Sequence, residues 1–356
     1  MILRATTLPA VERLFDGRPI IQKNDDHPWE NRVTFNPACV LVEDRPTLNR
    51  IITSLPFDQK IRIGLISHSA LCFLFYRAQG ARTDAYDHTR SSIGLAVLTP
   101  DLQLLARHTE PVILPDAEYD NLGVEDARIT RIGDTFVMMY TAYSAATPQN
   151  RIRIAMAFSE DLVHWKKFGL LLGDFNMLDN KNAMLFPSRI DGKLIMLHRP
   201  MKGQDALSVH LAQADELGGT WESRGVVMRP QPNPNFVDTW MGGGAPPLLM
   251  EDGRFLVIYH IGNKKSDGSR EYDLGIAVAD GHNPTIIVQR NEPLLRPQTP
   301  AETIGDAQLG VNNVVFVCGA YFYRGDVYFP YAGADSVVLG ARISGAELER
   351  YLHQND

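Results

Sequence analysis

The chain has 356 residues, 44% of them hydrophobic and 22% charged, which is enough apolar material for a sizeable core and argues against intrinsic disorder. Its 35 Lys and Arg against 42 Asp and Glu give a net charge of −7, and no basic run is long enough to track a nucleic-acid backbone. Length alone leaves a single large β-rich domain open.

Residues 1–15 carry Arg4, Glu12 and Arg13 and lack the apolar core of a secretory leader, and no apolar span of about 18 residues occurs anywhere. The expectation is a chain that is neither secreted nor membrane-spanning. Cys39, Cys72 and Cys318 lie in apolar stretches, without metal-type spacing and odd in number, which suits buried reduced thiols and a cytoplasmic setting.

A repeat runs along the chain. Five alternating apolar segments end at Tyr76-Arg77, Tyr140-Thr141, His198-Arg199, Tyr259-His260 and Tyr331-Ala332. Four follow turns that carry Gly and Asp together, at Gly133-Asp134, Asp191-Gly192, Asp252-Gly253 and Gly325-Asp326, which is hairpin chemistry between period-2 runs. Each is followed by a strand rich in small residues, at 93–97, 154–158, 209–213, 274–278 and 338–342. The spacing between equivalent ends is 58 to 72 residues, about what a four-stranded sheet with its loops needs. This predicts an all-β fold, a five-bladed β-propeller in one domain across residues 1–356 with short terminal extensions. The Pro-rich stretch 230–234 reads as an inter-blade loop, and helix signals are sparse, the clearest being 345–352 at the tail.

Fold alone says little about function, so chemistry must be sought at the strand ends. Arg77, Thr141, Arg199 and His260 terminate four of the segments, where they either line a central funnel or bridge blades. The run Gly123-Val-Glu-Asp-Ala-Arg128 sets two carboxylates before a strand. Strand alternation sends Glu125 and Asp126 to opposite faces, so one of them faces the funnel, as a general acid or as an ion pair with Arg128. Lys181 stands in a polar loop before the next strand, either solvated or an anion ligand, and Arg151 and Arg153 share one face of a strand. Three glycines in Trp240-Met-Gly-Gly-Gly-Ala-Pro-Pro247 imply a close backbone approach. Trp240, Tyr143 and Tyr272 are aromatic enough for a sugar face, or are core.

Taken together, the segments resemble glycoside hydrolase family 130, the mannoside phosphorylases. Matching pieces run along nearly the whole chain: Phe35-Asn-Pro-Ala38, Tyr76-Arg77-Ala78, Gly123 to Arg128, Leu185-Phe-Pro187, Met196 to Pro200, Gly244-Ala-Pro-Pro247, Ile258-Tyr-His260, Val311 to Phe316, Cys318-Gly-Ala320 and Gly333-Ala-Asp335. The resemblance implies a five-bladed propeller that cleaves β-mannosides with inversion. It implies that Asp126 is the general acid, acting through the 3-hydroxyl of the bound mannose. Lys181, His260 and Tyr272 match the phosphate ligands, with Arg151 or Arg153 aligned more loosely. Asn36, Arg77, Glu125, Arg128, Arg199, Trp240 and Asp335 form the expected sugar-binding set. Ala127 and Val317 stand where Pro is common and Ile261 where Gly is common, departures that leave the acid intact and the acceptor sugar open.

The expected activity is therefore that of an inverting β-mannoside phosphorylase, turning a β-mannosyl oligosaccharide and inorganic phosphate into α-mannose 1-phosphate and a shortened sugar. No metal or organic cofactor is expected, phosphate being a co-substrate, and neither nucleic acid nor membrane is an expected partner. A hydrolase of the same family would need a second carboxylate to activate water. A non-catalytic sugar-binding propeller would dispense with the acid. The sequence leaves β-1,2 against β-1,4 linkage, and association into a homo-oligomer, undecided.

Overall fold

Each of the five repeated segments becomes the second strand of an antiparallel unit; the Gly-Asp turns join it to the first strand in the second and third units and to the short strands Leu248–Leu249 and Tyr321–Tyr323 in the fourth and fifth. The computed structural model describes residues 7–64, 69–81, 90–146, 151–309 and 311–354. Unit I consists of Val33–Val42, Leu71–Gln79, Ser91–Leu98 and Leu104–Arg107. Unit II comprises Gly123–Ile132, Thr135–Tyr143, Ile152–Ser159 and Lys166–Leu170. Unit III comprises Asn180–Leu185, Leu194–Pro200, Val209–Ala214 and Glu222–Met228. Unit IV comprises Asp238–Gly243, Phe255–Lys264, Arg270–Ala279 and Ile287–Leu295. Unit V takes Val315–Val317, Asp326–Gly333 and Val337–Ile343 from the C-terminal part, and its outer strand, Glu12–Arg13, from the N-terminal part.

The first strands position the site. Those of units I and II lie together, II against III and III against IV, while the first strand of unit V touches unit IV and returns to the first strand of unit I. Units I and II are also joined by a single parallel bridge, Ser91 to Gly123. Apolar side chains fill the spaces between units, such as Phe73, Phe75 and Met138 in one cluster and Met184, Met241 and Tyr259 in another. The small residues of the third strands have a specific task. A Cβ at Gly94 would lie 2.4 Å from the Tyr76 ring, and one at Gly275 would lie 2.3 Å from the Tyr259 ring. In both units a tyrosine of the second strand lies across a glycine of the third.

Unit I departs from the repeat. Its first two strands are joined by the helices Arg45–Ser54 and Phe57–Gly64 rather than by a tight turn. The first begins at Asp44, whose side chain accepts from the Thr47 amide at 3.0 Å, with Pro46 in the first turn. That capping pattern was legible in the sequence, so the expectation of few helices overlooked a real start signal. The tail helix Gly345–Leu352 forms as expected, capped by Ser344, and the Pro-rich stretch connects units III and IV outside any strand.

Arg128 ties two units together. Its guanidinium donates to the carbonyl oxygens of Asp126 (2.7 Å), Gly243 (3.1 Å) and Gly244 (3.1 Å), and it is 1% exposed. The expected sugar ligand is thus a brace between unit II and the glycine run of unit IV. The three glycines approach closely, as the sequence implied. A Cβ at Gly242 would lie 2.7 Å from Asn182 Oδ1 and one at Gly243 2.4 Å from Met184 Cε. Arg128→Met strands three buried carbonyls, and we expect it to destabilise the fold by about 3 kcal/mol or more, read as a lowered midpoint of urea unfolding.

Candidate active site

The first strands of units I, II and III each carry the same irregularity. Their pairing registers slip between Phe35 and Ala38, between Glu125 and Arg128, and between Lys181 and Met184. Inside each slip sits a residue in the left-handed region: Asn36 (φ 46°), Asp126 (φ 52°) and Asn182 (φ 58°). Asn and Asp tolerate that region better than other side-chain-bearing residues, and a bulge re-aims the side chain it carries. Repetition of the bulge in three neighbouring units gathers three Asx side chains at one place.

The bulge also overturns a sequence expectation. Alternation was to send Glu125 and Asp126 to opposite faces, yet Arg77 bonds both, Nη2 to Glu125 Oε1 at 2.7 Å and Nη1 to Asp126 Oδ1 at 3.2 Å. The left-handed turn at Asp126 breaks the two-residue period and returns its carboxylate to the side that Glu125 occupies. Asn36 Nδ2 donates to the same Asp126 oxygen at 2.7 Å. Lys181 reaches Glu125 Oε2 at 3.4 Å and belongs to the strand Asn180–Leu185, not to the polar loop that its neighbours implied.

Burial pushes the Asp126 carboxyl upward, but Arg77, Lys181 and Arg128, with the Asn36 bond, outweigh it and hold Asp126 well below the usual range. Asp335, in the left-handed region at φ 48°, behaves oppositely. Burial, only partly offset by Arg77, pushes it up to about 7, with Asp126 and Glu125 adding repulsion. Two carboxyl groups of one cluster are thereby driven apart, one ionised and one protonated, the pattern of a site that handles protons.

A second pole lies across the strand pair of unit III, where Lys181 and Arg199 are direct cross-strand partners. Arg199 is 6% exposed, forms no ion pair with another described residue, and has its Nε buried without a hydrogen-bond partner. Its Nη1 donates to His260 Nε2 at 3.3 Å. Burial lowers the Arg199 guanidinium to about 10. Burial likewise drives His260 well below its ordinary value, Arg199 and Arg128 adding to the effect, so the imidazole is neutral and accepts at Nε2. Phe316 packs on His260 at 4.3 Å between ring centres, and Tyr272 stands 6.1 Å away. Trp240 meets Tyr272 edge-on at 5.5 Å.

The structure therefore gathers Asn36, Arg77, Glu125, Asp126, Lys181 and Asp335 at one pole and Arg199, His260, Tyr272 and Trp240 at the other. Arg151 and Arg153 sit on the flank of unit II beside the first strand of unit III. Arg151 Nε is buried and lacks a partner among the described residues. Asn182 was not singled out from the sequence, although its Asn-Lys-Asn context matches the Asx at the other two bulges. Four atoms of this site, Asn36 Oδ1, Asn182 Oδ1, Arg199 Nε and His260 Nδ1, are buried with no partner among the described residues. Buried polar atoms left open in this way call for a ligand rich in hydroxyls and anionic oxygens.

The chain belongs to glycoside hydrolase family 130: the family model, described as beta-1,4-mannooligosaccharide phosphorylase, matches residues 72–352. A 1,2-beta-oligomannan phosphorylase from Thermoanaerobacter sp. is 30% identical over 338 residues, covering 92% of this chain and 95% of that one. A beta-1,2-mannobiose phosphorylase from Listeria innocua is 32% identical over 251 residues, 69% of this chain and 63% of that one. The fold is that of the Listeria innocua enzyme solved with beta-1,2-mannobiose, at a TM-score of 0.75, 20% identity, and coverage of 96% and 99%.

Asp335 gives a test of the site's electrostatics. In the folded chain it keeps its proton to about pH 7, whereas the unfolded chain releases it near the ordinary 3.8. Between those values the unfolded state binds fewer protons, so this group costs stability as pH rises. Asp335→Asn is expected to gain melting temperature over the wild type at pH 8 and to gain less at pH 5. Equal differences at both pH values would show Asp335 to be ionised throughout.

Proposed function

We propose that this protein is an inverting β-mannoside phosphorylase, its five units arranged as a five-bladed β-propeller around the site. The observation that carries the reading is Arg199, a buried guanidinium that forms no ion pair with a carboxylate among the described residues, beside Lys181 and neutral His260. A buried cation without a counter-ion costs free energy, and a phosphate dianion removes that cost. The mannose ring lies at the other pole, where Asn36, Arg77, Glu125 and Asp335 offer donors and acceptors to its hydroxyls.

In the proposed reaction a phosphate oxygen bonds to the anomeric carbon from the Lys181 and Arg199 side. The glycosidic C–O bond breaks on the opposite side, and the leaving oxygen takes a proton supplied by Asp126. Phosphate loses its own proton on forming the ester, which restores Asp126 and balances the exchange. Asp126 is ionised in the free site, so the proton must be gained on binding. A dianion against Lys181 and Arg199 weakens the positive field at Asp126 and raises its proton affinity at the step that needs it.

Two further points are proposed with this reading. The named relatives that cover most of the chain act on β-1,2 linkages, which favours a β-1,2-mannoside here over β-1,4. Cys39, Cys72 and Cys318 are all free and buried, which supports a reducing, cytoplasmic setting. The family also contains glycoside hydrolases that target beta-1,2 mannosidic linkages. A hydrolase needs a base on the attacking side, and Glu125 and Asp126 are both engaged in ion pairs, Glu125 with Arg77 and Lys181 and Asp126 with Arg77.

Product analysis separates these reactions. With β-1,2-mannobiose, mannose 1-phosphate should form only when phosphate is present; free mannose released at the same rate without phosphate would make the enzyme a hydrolase. Asp126→Asn should lower kcat by roughly 10²-fold or more with the KM for mannoside little changed. Lys181→Ala should raise the KM for phosphate about tenfold and move the KM for mannoside much less, a split visible in initial-rate kinetics.

A further inference from the structure

Unit IV presents one face as a graded series. Strand register sets Asp238, Lys264 and Arg270 in one row at the rim, Trp240, Gly262 and Tyr272 in the next, and Gly242, His260 and Leu274 beneath. Alternate residues share a face, so these three rows all look the same way. A cavity of about 240 Å³ opens over them, lined by Arg199, Trp240, Tyr272, Lys264, Arg270 and Asp238 among others. The buried Nε of Arg199, which lacks a partner, therefore belongs to a residue on the cavity wall.

The rim row sets two cations against one carboxylate, Asp238, which forms no ion pair with either of them. Lys264 and Arg270 are directly opposite each other on neighbouring strands, an arrangement of like charges that destabilises a sheet. Next to them the sheet shows the ordinary solution, Lys265 paired with Glu271 at 3.3 Å. Lys264 and Arg270 are exposed, and neither forms an ion pair with another described residue. Arg270 instead lies over Trp240, 5.9 Å from the ring centre, which fixes its charge above the throat. Gly262 makes the throat possible, because a Cβ there would lie 2.2 Å from Trp240 Cε2.

A chain of net charge −7 repels a dianion on average, so phosphate needs a local path of positive potential. We propose that this cavity is an anion vestibule through which phosphate reaches the catalytic centre and the sugar phosphate leaves it. Lys264 and Arg270 form its outer binding station. The proposal rests on the phosphorylase reading for the identity of the anion. The Lys264–Arg270 repulsion is relieved when an anion sits between them, and Arg199 receives the anion at the inner end.

The test is the double variant Lys264→Gln/Arg270→Gln, with Arg18→Gln/Lys23→Gln as a control that removes the same net charge from the N-terminal segment. At low ionic strength the vestibule variant should lose about tenfold in kcat/KM for phosphate, and the steep fall of that constant with salt should flatten. The KM for mannoside should move much less, and the control should match the wild type. An unchanged constant and salt profile, or an equal loss in the control, overturns the proposal. A second arm needs no turnover: inorganic phosphate titrated with Asp126→Asn protein should show ³¹P line broadening that the added vestibule substitutions reduce. If no mannoside is phosphorolysed at all, the phosphorylase reading fails, while this arm still decides the vestibule. Equal broadening with and without Lys264 and Arg270 would sink it.

Discussion

The site depends on a backbone constraint, the left-handed bulge at Asp126. A regular strand would separate Glu125 and Asp126 by the thickness of the sheet, and Arg77 would reach only one of them. With φ at 52° the period is broken, and one guanidinium holds both carboxylates. Such backbone costs about 1–3 kcal/mol and persists only where surroundings enforce it. Here the enforcement is visible: Arg128 takes the Asp126 carbonyl, and Asn36, in the equivalent bulge of unit I, takes its side chain. Strain, brace and carboxylate belong to one assembly.

That assembly divides a strongly charged site into two poles. The carboxylate pole is neutralised from within, by Arg77 against Glu125 and Asp126 and by Lys181 against Glu125. The opposite pole is not, since Arg199 forms no ion pair among the described residues and its guanidinium meets neutral His260. In the proposed reaction a dianion at the second pole would compete for Lys181 and so couple the two substrates, because the Lys181 ammonium contacts Glu125 while its backbone is the register partner of Arg199.

Burial sharpens this contrast. Removal of water strengthens the attraction between Arg77 and its carboxylates, and the same loss of water depresses the Arg199 and His260 affinities for protons. Asp335 shows the middle case, a carboxyl near Arg77 that nonetheless keeps its proton to about pH 7 because burial outweighs the guanidinium, with Asp126 and Glu125 adding repulsion. One environment thus yields an ionised carboxylate, a protonated one and an unpaired cation according to which neighbours each group finds.

The sequence by itself determined the repeat and its strands. Period-2 apolar runs, Gly-Asp turns and small-residue strands are local features, set by side chains within a few residues of one another. They placed the second and third strands of all five units, the family resemblance, and most of the residues found at the two poles. The sequence also contained the cap at Asp44 and the left-handed Asn182, two signals that the apolar period does not carry. Only the tertiary structure decided which faces those residues occupy. Pairing register is fixed by contacts between strands far apart in the chain. A slip of one residue, as at Glu125 and Arg128, reverses every side chain beyond it. The role of Arg128 as a brace, the shared grip of Arg77, the lack of a partner for Arg199 and the cationic rim at Lys264 and Arg270 all follow from register. None of them can be read from spacing alone.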